Sequence, residues 1–165
     1  MKIIGKNPIT GLDYPDPDVI RVDDTYYMVS TTMHFVPGCE ILRSYDLVHW
    51  EHLSYVYERL DSTEEQRLVG EKNCYGKGMW AASLRYHKGM YYICFVANDT
   101  GKACLYTADN IEGPWEKRII EGFYHDCSLL FEDDHVYIVS GNRNIRLQEL
   151  KKDLSGPKEG GLDRI

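Results

Sequence analysis

Val19-Ile20-Arg21-Val22-Asp23-Asp24-Thr25-Tyr26-Tyr27-Met28-Val29 reads as two short strands around a tight turn. β-branched and aromatic residues flank an Asp-Asp pair, the composition of a hairpin. Two further stretches repeat it. Leu84-Arg85-Tyr86 and Met90-Tyr91-Tyr92-Ile93 enclose His87-Lys88-Gly89, while Leu130-Phe131-Glu132 and Val136-Tyr137-Ile138-Val139 enclose Asp133-Asp134-His135. Aligning them on Ile20, Leu84 and Leu130, with Tyr27, Tyr91 and Tyr137, gives offsets of 64 and 46 residues.

A second landmark follows each hairpin. Ser44-Tyr45-Asp46-Leu47-Val48-His49-Trp50 corresponds to Thr107 through Trp115, and more weakly to Leu150 through Pro157. About four strands in each unit of such length is the signature of a β-propeller blade. The fold class is therefore all-β, an incomplete propeller of about three blades over residues 1–165, with blade starts near 16, 80 and 126. The only candidate helix is short, near Ser62-Thr63-Glu64-Glu65-Gln66-Arg67, where acidic residues follow a Ser or Asp cap.

In a propeller the innermost strands line one channel, so residues that open them converge on the axis. The repeat thereby brings together Asp16, Trp80 and Asp126. Asp before a strand is also ordinary turn chemistry, because its carboxylate bonds the backbone two residues on. Trp80 equally suits a core between blades, as assumed for Trp50 and Trp115.

The remaining composition narrows the function classes. With 26 acidic against 19 basic residues, and a net charge of −7, the chain lacks the cationic face that nucleic acid or anionic lipid requires. No apolar run reaches membrane-spanning length, and Met1-Lys2-Ile3-Ile4-Gly5-Lys6-Asn7-Pro8 carries no leader pattern. Cys39, Cys74, Cys94, Cys104 and Cys127 are odd in number and share no C-x-x-C spacing, which favours reduced thiols and a cytoplasmic location. His49 and His52 gain no further ligands, so no metal or other cofactor is expected from these residues. Gly76-Lys77-Gly78-Met79-Trp80-Ala81 mimics a dinucleotide fingerprint, but a strand follows it where a helix is needed.

Several motifs together resemble glycoside hydrolase family 43, the five-bladed propeller β-xylosidases and α-L-arabinofuranosidases. They are Tyr14-Pro15-Asp16-Pro17-Asp18-Val19-Ile20, Phe35-Val36-Pro37-Gly38 and Ser44-x-Asp46-Leu47-x-x-Trp50, then Trp80-Ala81-Ala82-Ser83-Leu84, Gly113-Pro114-Trp115 and His125-Asp126-Cys127-Ser128-Leu129. The family usually has Pro where Ala82 and Cys127 stand. The resemblance implies an inverting glycosidase acting on xylan- or arabinan-derived oligosaccharides. In it Asp16 is the general base and Asp126 the carboxylate that orients the acid and raises its pKa. Trp80 and Phe35 are the implied apolar walls of the sugar site. Phe35-x-Pro37-Gly38 leans toward the xylosidase branch.

The general acid of the resemblance is a Glu in a Glu-Gly-x-His segment, and the repeat puts its place beyond Ile165. Five blades also need more residues than this chain holds. The expectation is a piece of a longer enzyme, inactive alone, or a chain that completes its ring by self-association through open flanks. The alternative is a non-catalytic truncated propeller that binds sugar or serves as an assembly scaffold. The resemblance leaves room for a structural calcium in the complete channel, with ligands mostly downstream.

Overall fold

Each hairpin of the sequence continues into a four-stranded antiparallel meander. The computed structural model describes residues 5–165, so Met1–Ile4 of the leader reading lie outside the described residues. The strands are β1 (Asp18–Val22), β2 (Thr25–Val29), β3 (Gly38–Ser44), β4 (Glu51–Tyr57), β5 (Ser83–His87) and β6 (Met90–Ala97). They continue with β7 (Lys102–Ala108), β8 (Glu116–Ile120), β9 (Ser128–Glu132), β10 (His135–Ser140), β11 (Arg146–Leu150) and β12 (Asp163–Arg164). Three sheets result, each ordered as in the chain: β1 to β4, β5 to β8, and β9 to β12.

Two-residue turns close the three inner hairpins, pairing Val22 with Thr25, His87 with Met90, and Glu132 with His135. Asp23, Lys88 and Asp133, the first residue of each turn, have φ of 52°, 49° and 51°. That sense matches the twist of the flanking strands. These turns recur 65 and 45 residues apart, which corrects the alignment of the middle copy by one residue. The tandem Tyr91-Tyr92 is the cause, since either ring can be matched to Tyr27. The register puts Tyr92 opposite Arg85, just as Tyr27 faces Ile20 and Tyr137 faces Leu130. Ala81 is therefore level with Asp16 and Asp126, and Trp80 with Pro15 and His125.

The middle sheet is buried on both faces. Tyr91, Ile93, Phe95 and Ala97 of β6 join Val29, Cys39, Ile41 and Tyr57 of the first sheet in one core. Cys94 of the same strand faces the other way, with Leu129, Ile138 and Leu150 of the third sheet. A strand covered on both sides reads as a near-continuous apolar run, and Met90–Ala97 is one. The outer sheets are covered by a neighbouring sheet on one face only: Val19 is 41% exposed and Leu130 48%.

The Ser44-x-Asp46-Leu47 landmark is a turn closed by its own side chains. Ser44 Oγ accepts the Leu47 N–H at 2.9 Å, and Asp46 Oδ1 accepts those of Val48 and His49 at 2.8 Å. The short helix expected near residue 62 does not form. Residues 64–68 make a single turn, with Gln66 N–H donating to Thr63 Oγ1 and Gln66 Oε1 accepting from Asp61 and Ser62 N–H. This is a capped turn with no apolar face long enough to propagate a helix.

Candidate active site

Asp16 and Asp126 occupy equivalent places. Both precede an inner strand by two residues and both have φ of 49°, in the left-handed region that Asp tolerates better than most residues. The carbonyl before each is held alike: Pro15 O accepts the Thr31 N–H at 3.0 Å, and His125 O accepts the Gly141 N–H at 2.8 Å. Both side chains are exposed at the end where the inner strands begin. Thr31 Oγ1 donates to Asp16 Oδ2 at 2.9 Å, and His125 Nε2 lies 3.3 Å from Asp126 Oδ2. No hydrogen bond or ion pair among the described residues joins the two carboxylates to each other.

Trp80 sits at the same mouth, its ring centroid 6.4 Å from that of His125. Its Nε1 donates to Gly76 O at 3.1 Å. The segment before it is pinned by reciprocal backbone bonds between Met33 and Met79, at 2.9 and 3.0 Å. Gly78 makes that approach feasible: it has φ of 87°, and a Cβ there would lie 2.3 Å from Met33 O.

Phe35 extends from the neighbouring loop and is 67% exposed. It stacks on His34 with centroids 4.4 Å apart, and His34 in turn packs on Tyr75 at 4.8 Å. His34 Nδ1 accepts the Gly76 N–H at 3.2 Å, joining this aromatic rim to the residue that holds Trp80. Phe35 also lines a cavity of about 330 Å³, with Tyr14, Pro15, Thr31, Glu40 and Tyr55. Burial, then the Glu40 charge and the Tyr55 phenol, push the Tyr14 hydroxyl above its ordinary pKa.

The structure thus groups Trp80 with His125 and Asp126, and groups Phe35 with the immediate neighbours of Asp16. Sequence reasoning missed Thr31, His34, Tyr75 and His125. Thr31 follows the Val29-Ser30 strand end, as Gly141 follows Val139-Ser140, so the repeat marked the position without marking its hydroxyl. Among the described residues no three His, Cys, Asp or Glu side chains gather to ligate a metal.

The model of the glycosyl hydrolases family 43 matches residues 5–162. A beta-xylosidase of Formosa agariphila is 33% identical over 96% of this chain and 27% of its own length. A non-reducing end alpha-L-arabinofuranosidase of Bacteroides ovatus is 37% identical over 82% of this chain and 26% of its own. The chain therefore spans about a quarter of these curated relatives. Among solved structures, a bifunctional GH43-CE protein of Bacteroides eggerthii superposes with a TM-score of 0.92 at 46% identity, over 98% of this chain and 21% of that one. Three successive antiparallel sheets, two carboxylates at matched positions and these similarities lead to one statement: the chain belongs to glycosyl hydrolase family 43, and its sheets are blades of that family's five-bladed propeller.

Proposed function

We propose that this chain carries the base side of an inverting exo-glycosidase for xylose- or arabinose-containing oligosaccharides. The observation that supports it most is the matched placement of Asp16 and Asp126, 110 residues apart, at the mouth of the inner strands. Asp16 takes the proton of the water that attacks the anomeric carbon, while Thr31 holds one carboxylate oxygen and leaves the other to the water. Asp126 orients a carboxylic acid supplied from outside these residues and, as a nearby like charge, keeps it protonated. Inversion requires base and acid about 6.5–9.5 Å apart on opposite faces of the sugar, so that water fits beneath the ring. Trp80 and Phe35 offer aromatic surface to the sugar's C–H faces.

The setting is a reducing, cytoplasmic one. All five cysteines are unpaired and buried. Hydrogen bonding to Cys127 and burial push the Cys94 thiol well above its ordinary pKa, which keeps it protonated and unreactive. No helix among the described residues is long and apolar enough to cross a membrane.

The test uses the protein expressed from its whole open reading frame. Aryl β-xyloside and aryl α-arabinofuranoside are supplied, and the first-formed sugar anomer is followed by NMR. Release of the anomer opposite to that of the substrate supports the reading. Release of the same anomer, or binding of sugar without turnover, refutes it.

A further inference from the structure

One hydrogen bond is used twice to join the three inner strands. The Asp18 carboxylate of β1 accepts the Leu84 N–H of β5 at 2.9 Å, and the Ser83 hydroxyl of β5 accepts the Leu129 N–H of β9 at 3.2 Å. Asp18, Ser83 and Ser128 are level in the repeat, each opening its strand. Arg85 lies across this ladder. Its Nη1 donates to Asp18 Oδ2 at 2.6 Å, its Nε to Leu129 O at 2.9 Å, and its Nη2 to Ser128 Oγ. One partly buried guanidinium on the middle sheet therefore grips both neighbouring sheets. Two of its partners stand two residues after the candidate carboxylates: Asp18 after Asp16, and Ser128 after Asp126. Arg85 bonds neither carboxylate itself.

We propose that Arg85 is a positioning residue that sets the separation of Asp16 from Asp126; this rests on reading those two as base and modulator. The guanidinium is a planar fork whose donors have fixed relative directions, so it ties three strands at set spacings. A lysine ammonium is a point charge on a flexible stem, so its donors have no fixed directions relative to the chain. Inverting chemistry depends on that spacing, and a displacement of 1 Å at a reacting group can cost about 10²-fold in rate. Lys117 provides the comparison. On β8, the outermost strand of the middle sheet, it ties that sheet to the loop after β4, donating to Leu60 O and Asp61 Oδ1 at 2.7 Å.

The experiment compares Arg85→Met, Arg85→Lys and Lys117→Met in the protein expressed from its whole open reading frame. Arg85→Met is expected to lower kcat by about 10²-fold with KM little changed. Arg85→Lys should show the same split with a smaller loss. Lys117→Met should lower Tm and leave kcat at the wild-type value, because a merely structural tie does not reach the site. A folded Arg85→Met with wild-type kcat, or a loss carried by KM alone, overturns the proposal. If Arg85→Met does not fold, Arg85→Lys decides, and wild-type kcat there overturns it. Asp16→Asn is measured alongside. Full activity in Asp16→Asn removes the reading of the carboxylates, whereas an inactive Asp16→Asn beside a fully active Arg85→Lys removes only the positioning role.

Discussion

Thr31 Oγ1 donates to Asp16 Oδ2 at 2.9 Å, and its own backbone N–H holds Pro15 O, so one residue just past β2 fixes both the backbone before the candidate base and its carboxylate. This bond orients the carboxylate more than it supports the fold, because Asp16 is exposed and water can replace the hydroxyl. Thr31→Val should therefore lower kcat by about tenfold, the worth of a hydrogen bond to a charged group, with little change in Tm. Kinetics and thermal unfolding on the same preparation check this. An unchanged kcat would mean that Asp16 needs no such orientation.

The exposed rim offers a second separation of effects. Phe35 is 67% and Tyr75 80% exposed, with His34 packed between them. Replacing either ring by Ala should raise KM for oligosaccharides by roughly two- to tenfold, the worth of one aromatic contact of about 0.5–1.5 kcal/mol. Surface truncations of this kind should leave stability within about 0.5 kcal/mol. Unaltered KM in both variants would place the sugar elsewhere.

The third sheet carries a pH-dependent tie. Glu149 is held at a pKa of about 2 by Lys158 first, then His135 and the Leu162 N–H, at 2.6, 2.8 and 3.1 Å. A carboxyl whose pKa is lowered on folding stabilises above its ordinary value of 4.5, and that support fades as pH falls toward 2. Glu149→Gln should thus be less stable than wild type at pH 7, and the two should converge between pH 4.5 and 2. Urea titrations at several pH values read this directly. A gap that stays constant through that window would assign the effect to packing and not to the charge.

The repeat was legible because hairpins and turns are local. Asp23-Asp24, Lys88-Gly89 and Asp133-Asp134 announce their turns in the residues themselves, and the 110-residue offset between Asp16 and Asp126 follows from two of these copies. The middle copy slipped by one residue because Tyr91 and Tyr92 are chemically indistinguishable to an alignment; only the strand register separates them. Arg85 was not legible as a tie. In Leu84-Arg85-Tyr86 it has the pattern of a solvent-facing strand position, and its partners Asp18 and Ser128 are supplied by two other sheets, 67 and 43 residues away. His34 was hidden for a similar reason, since its contacts with Tyr75 and Gly76 come from a loop that no periodicity describes.

Substitution of the candidate base tests the whole account most directly. Asp16→Asn keeps the shape of the side chain and its contact with Thr31 but cannot accept the water's proton. In the protein expressed from its whole open reading frame, kcat on an aryl β-xyloside should fall by about 10²–10⁴-fold, the usual cost of losing a general base, with Tm and xylose binding retained. Turnover close to wild type in the folded variant would contradict the account and leave Asp16 as turn chemistry alone.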